Sequence, residues 1–345
     1  MARKTQKRSR QSLKDESPVT AYPRKSLNSG KLKRLYSSML RCRMLEERAQ
    51  MLLEQGEFNR AYQMRIGSEA AEVGAMFDLQ PKDCVSCGRR DVVAGFIRGV
   101  PLADVLAQLL THPQAPGPNG ASPPPPMEST AGIVAGPSTL AARMNVSAGV
   151  ALAYKMQKKP NVVMVFSGDD ATALSSWRES VAFAVARKLP VVHVVQDDLG
   201  DESVALRSHA MAKDSDSSID AIPRLIVDGT DAVAVYRVAQ EAIRRARQGH
   251  GPALIECKTC RWVGHSDVGP KPSHANTNHD PGSSDPLLSM EAYLKQRGLW
   301  SDAWKERLVR SFTKEFEAAI SRTAGIGRRK LPARLAAKAN TKSQL

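Results

Sequence analysis

The chain has 345 residues, 42% of them hydrophobic and 25% charged, with a formal net charge of +15. That suits one large globular unit or two ordinary ones, with ample material for a buried core. No apolar run reaches the roughly 18 to 20 residues of a membrane span, and the basic start lacks a following apolar stretch, so it does not read as a secretory signal; the cytoplasm is the expected location.

The charge is unevenly placed. Residues 1–34 hold eleven Lys/Arg against two acids, residues 322–345 hold seven against none, and the middle sums to −1. Segments 1–30 and 322–345 therefore read as disordered basic tails around an ordered unit over 31–321. Such tails are solvated or adhere weakly to acidic partners. No helix-turn-helix, zinc-finger or RNA-recognition pattern accompanies them, so dedicated nucleic-acid binding is not expected. The odd number of cysteines (Cys42, Cys84, Cys87, Cys257, Cys260) argues against a secreted disulfide framework.

In chain order, apolar residues at helical spacing (Leu32, Leu35, Met39, Leu40, Met44, Leu45, Met51, Leu52) predict a long amphipathic helix from Lys31 to Gln55. Further helices are predicted over Ser68–Phe77 and Leu102–Leu110. Residues 112–128 are a proline-rich loop, because proline lacks an amide donor and fixes φ. A helix of small residues then covers about Ser138 to Met156. VVMVF at 162–166 is a continuous apolar, β-branched run, as a strand buried on both faces should be. A helix over Ser175–Arg187 leads to a second such strand, PVVHVV from Pro190. This strand–helix–strand unit implies a parallel sheet flanked by helices, an α/β fold. A strand at Arg224–Val227, a helix at Asp231–Gln248 and a strand at 252–259 follow. Residues 264–284 are loose, and helices near 288–297 and 302–320 close the chain.

Gly168-Asp169-Asp170 follows the first buried strand, and Asp197-Asp198-Leu199-Gly200 the second. Parallel strands end at one edge, where ligands of open α/β sheets bind. Oxygen ligands from Asp169 and Asp198 suit a hard cation such as Mg²⁺. Gly168 lets the backbone approach a phosphate, and the following helix presents its positive end. The plainer alternative is that these acids cap a helix and close a turn.

The spacing resembles the thiamine-diphosphate motif, Gly-Asp-Gly followed some thirty residues later by an Asn pair. Along about residues 31–320 the chain resembles the alpha subunit of the decarboxylating component of pyruvate and branched-chain 2-oxoacid dehydrogenase complexes. The landmarks are IGSEAAEVGA (66–75), GRRDVVAGFIRG (88–99), GIVAG (132–136), CRWVGHSD (260–267) and SDPLLSMEAYLKQRGLW (284–300). The resemblance implies the thiamine-diphosphate-binding fold, with N- and C-terminal helical extensions. It implies Asp169, Asp198 and the Gly200 carbonyl on Mg²⁺. Gly168 and the backbones of Asp170 and Ala171 would cradle the diphosphate, with Arg90 neutralising it. Gly132 and Val134 would position the aminopyrimidine. His265, otherwise a solvated loop histidine, would be the catalytic group over the thiazolium side, stabilising charge on substrate or diphosphate. The implied reaction is decarboxylation of a pyruvate-like 2-oxoacid with acyl transfer to the lipoyl group of an acyltransferase. The implied partner is a beta-type subunit carrying the activating Glu, in an α2β2 assembly.

The sequence also departs from that pattern. Asp170 replaces Gly, Asp197-Asp198 replace Asn-Asn, Gln63 and Val92 replace His, and Arg89 replaces Tyr. Two other readings follow. One is a catalytically impaired paralogue acting as a structural or regulatory subunit. The other is a zinc-binding or redox protein using the CxxC pairs Cys84/Cys87 and Cys257/Cys260.

Overall fold

The computed structural model describes residues 27–54, 65–88, 92–110, 132–134, 140–168, 171, 174–198, 222–259 and 285–323. Among the described residues five strands form one parallel sheet in the order β1-β2-β3-β5-β4: β1 (Cys84–Ser86), β2 (Val163–Gly168), β3 (Val191–Asp198), β4 (Arg224–Asp228) and β5 (Ala253–Thr259). The expected α/β fold is present. Among the described residues no helix is long and apolar enough to cross a membrane.

Successive strand residues face opposite sides of a sheet, so a wholly apolar strand needs cover on both. One face, with Met164, Phe166, Val192, Val194, Leu225 and Ile255, lies under α2 (Glu69–Met76) and α7 (Ala232–Arg247). The other, with Val163, Val165, Val191, Val195 and Leu254, lies under α5 (Leu140–Met156) and α6 (Ser175–Ala186). α6 is the crossover between β2 and β3, as the strand–helix–strand pattern requires. α7 starts where Asp231 caps the amides of Val233 and Ala234, and its last turn carries Arg244, Arg245 and Arg247.

A helical layer lies beside the sheet. In α1 (Ser29–Glu54) the stripe Leu32, Leu35, Met39, Leu45 and Leu52 is buried against α4 (Leu102–Leu110), α8 (Pro286–Gln296) and α9 (Asp302–Thr323). Buried ion pairs tie this layer to α2. Arg43 Nε lies 2.5 Å from Glu69 Oε1, and its Nη2 lies 3.1 Å from Asp285 Oδ1.

The structure differs from the sequence reading in small ways. α1 takes in Ser29 and Gly30, and α9 runs to Thr323; the rest of the two basic terminal segments lies outside the described residues. α8 begins at Pro286 rather than 288, because Asp285 accepts the Leu287 amide at 2.8 Å and proline is suited to the first helical turn. β1 and α3 (Val92–Ile97) were not expected. Three and six residues are too few to show a period, and β1 exists because it pairs with β2.

Candidate cofactor site at the carboxyl edge of the sheet

β2 and β3 are neighbours and parallel, so they end together. Gly168 pairs with Gln196, two residues before Asp198. Asp197 and Asp198 pair with Lys258 and Thr259 on β5. Strand spacing and rise place the Gly168 and Asp198 backbones about 8 Å apart, within the reach of one cation and its phosphate ligand. Asp169, Asp170, Gly200, Arg90 and His265 lie outside the described residues.

The start of α6 suits an anion. Its N-cap is Leu174, which makes no side-chain cap, and its first turn holds no acid, so no carboxylate of the helix's own first turn competes for its positive end. Ala171, just ahead, is buried in the core, and its carbonyl accepts the Leu174 amide at 3.0 Å.

Gly132–Val134 lies along the outer side of β1. The Val85 amide donates to the Gly132 carbonyl and the Val134 amide to the Val85 carbonyl, both at 2.8 Å. Gly132 has φ of +66°, and a Cβ there would sit 2.5 Å from the Asp83 carbonyl oxygen, so only glycine fits. The bridge occupies the Val134 amide and turns the amide and carbonyl of Ile133 away from β1. Backbone groups of this segment that face outward are therefore those of Ile133, between the two residues that the sequence singled out. Ile133 shares its rung with Val85 and Met164, four residues short of Gly168. The two features are about 16 Å apart by backbone, so a ligand touching both is elongated.

Behind the edge lies a polar chain that the sequence reading missed. Gln196 is 1% exposed; its Nε2 donates to Glu72 Oε1 at 3.4 Å. Arg65 Nη1 reaches the same Glu72 oxygen at 3.3 Å. Gln196 Oε1 has no partner among the described residues. The only signal in the sequence was two acids, Glu69 and Glu72, in a short helix of small residues, where burial demands partners.

Lys258 stands on the rung between Asp197 of β3 and Asp228 of β4. It pairs with Glu256, whose other oxygen receives Arg224 Nε at 2.8 Å. Burial would raise the Glu256 carboxyl, but Lys258 and Arg224 outweigh it and hold it below the usual range. Lys258 thus stands beside the strand that carries the unexpected acids, while Arg224 lies one strand further out.

The zinc reading does not survive. Cys84, Cys87 and Cys257 form no disulfide among the described residues. β1 and β5 are separated by β2 and β3, about 14 Å, whereas thiolates on one zinc lie about 4 Å apart. Burial, with Glu256 and Asp228 nearby, pushes the Cys257 thiol up to about 12. Among the described residues no three His, Cys, Asp or Glu side chains are grouped to hold a metal; Cys260 lies outside them.

The donor set at the edge suits a cation with a phosphate ester. It combines aspartates at strand ends, a glycine, an uncapped helix start and an orphaned buried acceptor. Comparison with known proteins agrees. The family model described as dehydrogenase E1 component matches residues 36–327. The pyruvate dehydrogenase E1 component subunit alpha of Bacillus cereus is 29% identical over 301 residues, 86% of this chain and 78% of that protein. The proteins of the same name from Staphylococcus aureus and Staphylococcus epidermidis are 30% identical over 303 residues, 85% of this chain and 78% of theirs. The chain belongs to the dehydrogenase E1 component family, as an alpha-type subunit of a 2-oxoacid dehydrogenase.

Proposed function

We propose that this chain is the diphosphate-binding subunit of a thiamine-diphosphate-dependent enzyme. That enzyme decarboxylates a pyruvate-like 2-oxoacid and passes the acyl unit to the lipoyl group of an acyltransferase. The observation that carries this is the meeting of the Gly168 and Asp198 strand ends at one edge, beside a helix start without a capping acid.

Each residue then has a task. Asp169, Asp198 and the Gly200 carbonyl hold Mg²⁺. Gly168, the backbones of Asp170 and Ala171, and Arg90 receive the diphosphate. The Gly132–Val134 segment positions the aminopyrimidine through backbone groups. His265 stabilises charge near the thiazolium side. The bound cofactor supplies the electron sink for loss of CO₂, while the protein supplies orientation and electrostatics. The glutamate that activates the aminopyrimidine belongs to a beta-type partner, most simply in an α2β2 assembly. Lys258, on the rung beside Asp197, offsets part of the charge that Asp197 adds.

The test is calorimetric titration of thiamine diphosphate with Mg²⁺ into the chain co-purified with its beta-type partner. Saturable, Mg²⁺-dependent binding that Asp198→Ala abolishes is expected, together with release of CO₂ from pyruvate. Absence of binding refutes the reading. Binding without turnover would instead favour an impaired, regulatory subunit, the alternative that Asp170, Gln63, Arg89 and Val92 support by departing from the family pattern.

A further inference from the structure

We propose that the amino edge of the sheet is a docking surface for an acidic segment of a partner protein. All five strands are parallel, so their starts line one edge, about 23 Å from the Asp198 end of β3. The middle of the chain is nearly neutral in sum, yet the connections at this edge carry Lys82, Lys158, Lys159, Arg187 and Lys188, all exposed. These five form no ion pair among the described residues. The acids Asp83 and Glu241 nearby are already taken, by Arg247 at 2.7 Å and Arg244 at 2.6 Å. The cations are also neighbours in space. Lys155 Nζ, in the last turn of α5, donates to the Arg187 carbonyl at the end of α6. The Lys82 carbonyl accepts Asn161 Nδ2 at 2.6 Å, two residues after Lys159.

Two of these lysines are held at a cost to the fold. Lys158 and Lys188 are the only non-glycine residues with positive φ among the described residues, at +53° and +46°. Each closes its helix at the left-handed position that glycine favours. At α5 the Lys158 amide donates to the Lys155 carbonyl at 3.0 Å and the Lys159 amide to the Tyr154 carbonyl at 2.9 Å. At α6 the Lys188 and Leu189 amides do the same with the Val185 and Ala184 carbonyls. α7 and α8 end on the same pair of bonds, and there the residue is glycine: Gly249 at φ +81° and Gly298 at φ +65°. An L side chain is disfavoured in this conformation. The two helix ends do not need the extra charge, because Lys155 in the last turn of α5 and Arg187 at the cap of α6 already offset them. What lysine adds over glycine is a cation at the surface.

Apolar surface among the cations selects a polypeptide. Met156, the last residue of α5, is 76% exposed, and Phe183 is 39% exposed, with the Arg187 guanidinium 5.9 Å from its ring centre. A segment bearing carboxylates and an aliphatic side chain pairs with the lysines and covers Met156, whose flexible thioether adapts to its partner. Single-stranded nucleic acid would need open aromatic faces for stacking, and one face of Phe183 is under Arg187. Exposed ion pairs are individually weak, so such a surface works through several at once, which steer and orient the partner. A partner bound here leaves the carboxyl edge open.

The experiment is fluorescence anisotropy of the full chain with a labelled peptide of alternating Glu and Leu, compared with an oligothymidylate of equal charge. Saturable peptide binding that weakens with salt is expected. Carbodiimide, which couples carboxylates to amines, should join the peptide to Lys158, Lys159 or Lys188. Lys158→Gly combined with Lys188→Gly should hold or raise the melting temperature while weakening peptide binding about two- to thirtyfold. Asparagine at both positions serves if the glycine pair does not fold. Met156→Gln, which leaves the charge unchanged, should weaken binding by a smaller factor. Parent-like affinity in the glycine variant overturns the inference, as does coupling confined to residues 1–34 and 322–345. Tighter binding of the oligothymidylate than of the peptide overturns it in favour of nucleic acid, and failure of the parent to bind the peptide overturns it outright.

Discussion

The two faces of the sheet bury different polar groups. Under α2 and α7 the buried charges are paired. Asp83 receives Arg247 Nη2 at 2.7 Å and the Val162 amide at 3.0 Å, and Glu72 receives Arg65 and Gln196. Under α5 and α6 lie Ser86, Trp177 and His193, all buried, and the Ser86 hydroxyl, the indole nitrogen and both imidazole nitrogens have no partner among the described residues. The Trp177 and His193 rings are 6.2 Å apart between centroids. One face carries charge because it is tied to the helical layer and backs the candidate site. On the other, Ser86, Trp177 and His193 are neutral, and the buried charge of Glu256 is paired with Arg224 and Lys258.

The largest test of this contrast is Arg43→Met. It leaves Glu69 and Asp285 buried without their shared cation. Breaking a buried ion network from one side costs about 3–5 kcal/mol, so urea unfolding should show a loss of that size. Adding Glu69→Gln should return part of it. A loss below about 1 kcal/mol would show that the α2 side does not depend on its paired charges.

His193 tests the other face. Burial lowers its pKa to about 4 from an ordinary 6.5. Above pH 6.5 it is neutral folded or unfolded, and contributes no pH dependence. Below that, the unfolded chain takes up a proton that the folded chain refuses, so stability falls with pH until about pH 4, where the folded form also protonates. At about 1.4 kcal/mol per pH unit, the window spans roughly 3 kcal/mol. His193→Phe should flatten this acid limb in unfolding measured between pH 7 and pH 4.5. An unchanged limb would mean that other groups set the acid sensitivity.

How far the sequence showed all this depends on the range of the signal. VVMVF and PVVHVV revealed both faces at once, because a run without alternation must be covered twice. GDD and QDD after those strands revealed the edge. Long-range partners left no local trace. Arg43 and Asp285 are 242 residues apart, and nothing near Asp197 in the chain points to Lys258. Gln196 read simply as the first letter of QDD. The CxxC pairs misled for the same reason: spacing along the chain says nothing of the two strands that stand between β1 and β5. Of the residues expected at the site, Gly132, Val134, Gly168, Ala171 and the backbone of Asp198 lie among the described residues, and Asp169, Asp170, Gly200, Arg90 and His265 lie outside them.

Gly132→Ala probes the join between the faces, because Val134 packs with the α5–α6 core and Ile133 packs against the opposite core. The added methyl would meet the Asp83 carbonyl at 2.5 Å in a left-handed backbone conformation. Strain of this kind costs about 1–3 kcal/mol. The expected result is a lowered melting temperature and, if the segment serves the aminopyrimidine, weaker cofactor binding. Unchanged stability would mean that the bridge to Val85 is dispensable.

The smallest expected effect has the opposite sign. Ser86 Oγ is fully buried at the end of β1 with no partner among the described residues. Its hydroxyl gives up water without recompense. Ser86→Ala removes one atom and opens little space, so the variant should match the parent or exceed it by up to about 1 kcal/mol. A loss of more than about 1 kcal/mol in Ser86→Ala would show a hydrogen-bonded water at that hydroxyl. The α5–α6 face would then satisfy its polar groups as fully as its counterpart, through solvent instead of through arginine.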